Sequence, residues 1–160
     1  MSAGPDLRAA LTGDLRAWRW EAGLSPARVA DALGIEVEAA PMLYAGHPRL
    51  AATLAVPGLP WPAWAAWETS GELLLVEVLE PAAPPSAAAA IAVLGEPDAR
   101  LPRGRSPHPS HEQLAWLTSG CTLFTWAEEP PAALWLYRPT DLDHYIDELG
   151  AQIAPTRARR

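Results

Sequence analysis

His108-Pro109-Ser110-His111, followed by Cys121 and later by His144, brings together the residue types of a zinc site. Two imidazoles and a thiolate, with a fourth ligand from His144, Glu112 or Asp143, would satisfy a tetrahedral ion. The spacing matches no common zinc module. Pro107 and Pro109 hold the first histidine in an extended loop, and a lone cysteine that opens a strand is ordinarily a small buried apolar residue. No metal ligands are assigned on this basis. Cys121 as a nucleophile would need a neighbouring base and a lowered pKa. His108, His111 or His144 would have to supply that base, and Ser119-Gly120-Cys121 lacks the flanking glycines of a nucleophile elbow. Neither GxGxxG nor GxxxxGK[ST] occurs. The chain contains no lysine, which excludes a Walker lysine and Schiff-base chemistry alike. The reading leans away from an enzyme and expects no cofactor; a small-ligand or enzymatic pocket built from Cys121 and the histidines is the alternative.

Charge narrows the partners. The formal net charge is −7, and residues 1–156 carry 9 basic against 19 acidic residues. A nucleic acid would be repelled by such a body. Every basic residue is arginine, and Arg100, Arg103 and Arg105 form the one basic cluster away from the C-terminal end. In a loop, they could dock an acidic partner or a phosphate, or neutralise the chain's own carboxylates. The acidic cluster Asp141, Asp143, Asp147 and Glu148 on the last helix reads as a solvated face. Eight tryptophans stand against one phenylalanine. They either supply the bulk of the core or anchor an interface, the two settings in which indole is most used. A single cysteine fits a reducing compartment. No continuous apolar run develops near the start, and Pro57, Pro60 and Pro62 break the longest uncharged stretch, so a cytoplasmic protein without membrane spans is expected.

The elements that must position these residues follow from capping and periodicity. Residues 6–15 read as a short helix capped by Asp6, and residues 16–20 as either its continuation or an edge strand. Residues 25–34 make a helix with Ser25 as cap, Pro26 in its first turn and Gly34 as terminator. Strands are expected over 49–57, 62–68 and 72–81. In the last of these, Leu74, Val76 and Val78 share one face, and a tight ETSGE turn joins it to the strand before. The order then recurs: a helix over 86–97 with Ser86 as cap and Gly95 as terminator, a Pro/Arg-rich loop over 98–111, strands over 113–120 and 121–128, a turn at EPPA, and a strand over 133–139. A helix over 141–150, capped by Thr140 or Asp141, closes the chain with Leu142, Tyr145, Ile146 and Leu149 on one face.

The two halves match as units: Leu33-Gly34 with Leu94-Gly95, Trp67 with Trp126, Pro81 with Pro139. The expected fold is α+β, a tandem duplication of an α-β-β-β unit with an antiparallel sheet, continuous or split into two facing sheets, and helices on one face. Its divisions are residues 1–82, residues 83–150 and a disordered tail over 151–160. Gly23-Leu24-Ser25-Pro26, Val29 and Leu33-Gly34 look like the helix phrase of the outer-membrane assembly lipoprotein BamE family. A tandem pair of such units resembles the architecture of the β-lactamase inhibitor protein. That resemblance implies an aromatic-rich sheet that grips another protein; the chain departs from it in lacking a secretion signal, a lipidated cysteine and disulfides. The same GLSPARVADALGI also mimics the start of a helix-turn-helix. The stretch after it, EVEAAPMLYAGHP, carries two glutamates and a proline where a recognition helix should present basic or amide side chains.

The expectation is therefore a protein-binding molecule of the immunity, inhibitor or adaptor type. Its contact residues would be Trp64, Trp67, Trp126 and Trp135, with Arg100, Arg103 and Arg105 as a second site. The partner is another protein, with a homodimer left open; a DNA-binding regulator is the more remote alternative.

Overall fold

A computed structural model describes residues 6–79, 85–102, 111–126 and 129–149. The expected termini of the helices are present because the caps are. Asp6, Ser25 and Ser86 each accept a backbone N–H three residues on, at 3.1, 3.2 and 3.0 Å, and so start α1 (Leu7–Leu11), α2 (Pro26–Leu33) and α3 (Ala87–Leu94). Gly34, in the left-handed region, ends α2, and Arg8 donates to the orphan carbonyl of Leu33 at 2.6 Å. Residues 15–17 form one 3₁₀ turn, so the RAWRW segment is neither a strand nor a continued α-helix. Asp141 caps α4 (Leu142–Leu149) by accepting the His144 N–H at 2.9 Å.

Among the described residues, eight strands form one continuous antiparallel sheet: β1 (Ala40–Tyr44), β2 (His47–Leu54), β3 (Ala63–Glu68), β4 (Leu73–Leu79), β5 (Ala99–Pro102), β6 (His111–Trp116), β7 (Cys121–Trp126) and β8 (Glu129–Tyr137). Their spatial order is β1-β2-β3-β4-β8-β7-β6-β5, so each half is a four-stranded meander and the two meet at β4 and β8. Each half has one strand more than the three expected. β1 was hidden because Glu36, Glu38 and Pro41 break the apolar pattern, yet a proline is tolerated on an edge strand. A two-residue turn at Ala45-Gly46, with φ of 53° and 82°, closes β1 onto β2. β5 replaces the start of the expected loop, placing Arg100 on an edge strand. EPPA likewise belongs to β8 rather than to a turn, and the register between β7 and β8 shifts beside Pro130 and Pro131, which cannot donate to the ladder.

Two cores sandwich the sheet. On one face, α1, the 3₁₀ turn, α2 and α3 cover Leu54, Trp67, Val76, Val78, Leu123 and Leu136. On the other face, Leu75, Phe124, Trp135 and Tyr137 pack with Tyr145 and Leu149 of α4. The helices thus lie on both faces, not one. α4 crosses over because its apolar stripe, Tyr145 and Leu149 buried with Ile146 half-buried, needs a second surface to cover. A bulge also corrects the pattern read in β4. Trp67 pairs with Leu73, not Leu74, so Leu73 joins Val76 and Val78 in the first core while Leu74 is turned to the α4 side. Among the described residues no helix is long and apolar enough to cross a membrane. The segment after α2 is extended and leads into β1, so no second helix follows it as a DNA reader would require. The division at 151–160 lies outside the described residues.

Candidate functional site

Among the described residues the histidine and thiol chemistry does not converge. Cys121 is buried in the helix-covered core, and burial alone pushes its thiol up to about 12, the opposite of an activated nucleophile. His144 stands on α4, across the sheet from that core, where Asp141 accepts its ring N–H at 2.8 Å and raises its pKa. His111 pairs with Trp126 whereas Cys121 pairs with Trp116, which puts the two at opposite ends of the β6–β7 ladder. His108 lies outside the described residues. Among the described residues no group of three or more His, Cys, Asp or Glu could hold a metal ion.

The part of the sheet beneath α4 is closed by polar contacts. Tyr145 donates to Gln113 Oε1 at 2.7 Å and shares Thr122 Oγ1 with Tyr137, at 2.9 and 2.8 Å. Burial raises the pKa of both tyrosines, so they remain neutral donors. Arg138 bonds Glu68 at 2.9 Å and lies 3.8 Å from Glu148, tying β8, β3 and α4 together. That hydrogen bond holds the Glu68 carboxyl below its usual range. An open cleft of about 620 Å³ beside α4 is lined by Thr118, Arg138, Thr140, Asp141 and His144, but its charged groups are already paired with one another.

The tryptophans divide by face and by position along the strands. Trp67 is fully buried and donates to Leu24 O at 2.9 Å; Trp116 is nearly as buried and donates to Gly95 O at 2.8 Å. Each braces a helix segment against the sheet. Trp135, 7% exposed, donates to Glu77 Oε2 at 2.8 Å and packs edge-on against Phe124. Trp67 and Trp135 are thus core residues in this structure and present no ring to a partner, a correction to their expected role. Trp126 sits at the end of β7, opposite Glu129. Arg100 is exposed but is held by Glu96 and Glu112 at 3.4 and 3.5 Å, the self-neutralised arrangement; Arg103 and Arg105 lie outside the described residues.

Trp64 differs. It lies on the α4-side face near the start of β3, half-buried, its ring 5.1 Å from that of Tyr44, and its strand neighbours are Thr53 and Glu77. Just before β3, Trp61 is 53% exposed, and Leu79, at the end of β4, is 45% exposed. By position along the chain these three residues fall where β2 and β4 end and β3 begins, at the opposite end of β3 from Glu68 and its partner Arg138. Trp61 and Leu79 were not among the expected contact residues. The signal was present, since Pro60 and Pro62 bracket Trp61 and keep it out of the ladder, where it would have been buried. Exposed apolar area of this kind marks interaction surfaces more often than catalytic ones. No family model, curated protein or solved structure matches this chain.

Proposed function

We propose that the chain is a non-enzymatic protein-binding module, of the immunity, inhibitor or adaptor kind, and that it engages its partner through the sheet end bearing Trp61, Trp64 and Leu79. The single observation behind this is Trp61: a tryptophan left 53% exposed between two prolines, two residues before β3, the strand that carries the half-buried Trp64. Tryptophan is among the residues most enriched at interface hot spots, where truncation typically costs about 2 kcal/mol or more. Its prolines hold the loop in few conformations, which lowers the ordering cost of binding. A cytoplasmic setting belongs to the same reading, since the single cysteine is kept as a buried, unreactive thiol.

The reading includes a tandem origin for the two halves. It is supported by the repeated order of helix and four-stranded meander, and by a strand order that is symmetric about the β4–β8 junction. An inhibitor-like use of one sheet end is the functional counterpart of that architecture. The test is a photo-crosslinking amino acid placed at position 61 in the native host. The expected result is a discrete heterologous adduct that is absent when the same group replaces Arg28 on α2. Equal, diffuse labelling from both positions would contradict the reading.

A further inference from the structure

Around the Trp61–Trp64 end, the described carboxylates have no ion-pair partner; Asp31 and Asp143 share that state on the helices, while several other carboxylates are paired. Arg138 serves Glu68 and Glu148, Arg100 serves Glu96 and Glu112, Arg19 serves Glu21, and His47 lies 3.3 Å from Asp147. Glu77, the strand neighbour of Trp64, has one oxygen bonded to the Trp135 N–H, and no described arginine pairs with it. Glu36 and Glu38 are exposed and, like Glu77, have no ion-pair partner among the described residues. Ile35, Val37 and Ala39 pack into the helix-side core, which turns the two glutamates between them away from it. The segment they occupy leads into β1, beside the end of β2 that carries Thr53, the other strand neighbour of Trp64.

We infer that this surface takes a basic, apolar segment of a partner protein, whose arginine or lysine side chains lie across Trp64 or Trp61 and reach the free carboxylates; this rests on the protein-binding reading above. An indole face attracts a cation, and a carboxylate at its edge strengthens the contact through a charge-assisted hydrogen bond. Glu77 stands one strand from Trp64, a separation of about 4.8 Å in a sheet. A single arginine side chain spans both groups. A second copy of this chain is a poor occupant, because a two-fold contact would set the same acidic rim against itself. Nucleic acid is repelled for the same reason.

The decisive experiment selects binders from a displayed library of random twelve-residue peptides on the folded protein, with the Trp61→Ala variant as counter-selection. Peptides enriched in Arg or Lys beside aliphatic or aromatic residues are expected. Their affinity should fall about tenfold in the Glu38→Gln/Glu77→Gln variant and further as salt is raised. The glutamines preserve the shape of the site and the acceptor for Trp135, and far-ultraviolet circular dichroism establishes that both variants fold. Trp61-dependent binders that are neutral or acidic would overturn the basic-partner inference and leave the protein-binding reading standing. The absence of any Trp61-dependent binder would overturn both. Concentration-dependent dimerisation lost in Trp61→Ala would overturn the inference in favour of self-association.

Discussion

The face of the sheet that carries α4 has two regions with opposite chemistry. Beneath α4, hydroxyls, an amide and an arginine are matched to partners within 3.2 Å: Tyr145 to Gln113, Tyr137 to Thr122, Arg138 to Glu68. Outside that patch, where β3 begins and β4 ends, Trp61 and Leu79 are about half exposed and Glu77 has no ion-pair partner among the described residues. A region whose polar groups are satisfied internally has little left to offer a partner, whereas unpaired carboxylates near an exposed indole gain from one. The contrast separates a region that stabilises the fold from one available for recognition.

Substitutions in the closed region should therefore cost stability, and those in the open region should cost binding alone. The largest loss is expected at Gly120, where the backbone has φ +77° and an added Cβ would lie 2.0 Å from the Tyr137 carbonyl oxygen and 3.3 Å from Trp18 Nε1. Gly120→Ala should destabilise by about 3 kcal/mol or more, or prevent folding, as read from urea unfolding. Next comes Tyr145→Phe, which leaves the buried Gln113 and Thr122 without a shared hydroxyl and should cost about 1–3 kcal/mol in the same assay. Arg138→Ala should cost less, about 1 kcal/mol, because the ion pair is nearly a third exposed.

That ion pair also predicts a pH dependence. The hydrogen bond from Arg138 holds the Glu68 carboxyl lower in the folded state than its unfolded value. Its contribution is present above that unfolded value and is lost as pH falls through the lower folded value. Arg138→Ala should flatten this acid-side slope, and an unchanged slope would show that Glu68 is not held by Arg138. The smallest effect on stability is expected for Trp61→Ala, within about 0.5 kcal/mol by urea unfolding, since the ring is half in water already. A large loss there would place Trp61 in the core and erase the contrast.

Much of the local structure was legible from short-range chemistry. The caps at Asp6, Ser25, Ser86 and Asp141, the stop at Gly34, the ETSGE turn and the stripe of α4 are all decided within a few residues of chain, so their sequence signals survive folding. What escaped depends on partners distant in sequence. β1 and β5 are edge strands whose polar and proline-bearing sequences look like loops until β2 and β6 supply their hydrogen bonds. The bulge at Leu74 reverses an alternation that β4 alone states clearly. The tryptophans were legible as important but not as buried or exposed. Trp67 and Trp64, three residues apart on β3, face different cores, and only the position of α2 on one side and α4 on the other separates their roles. The prolines on either side of Trp61 were a signal for its exposure, though Pro41, Pro130 and Pro131 lie within strands.

The eight indole N–H groups allow a direct test of the central claim. A two-dimensional nitrogen–proton spectrum of the protein, titrated with a selected peptide bearing arginine and aliphatic residues, should shift the Trp61 and Trp64 indole signals and the backbone amides of residues 36–38 and 77–79. The signals of Trp67, Trp116 and the residues of α4 should stay in place. Shifts confined to the α4 region, or a spectrum unchanged at saturating peptide, would contradict the account.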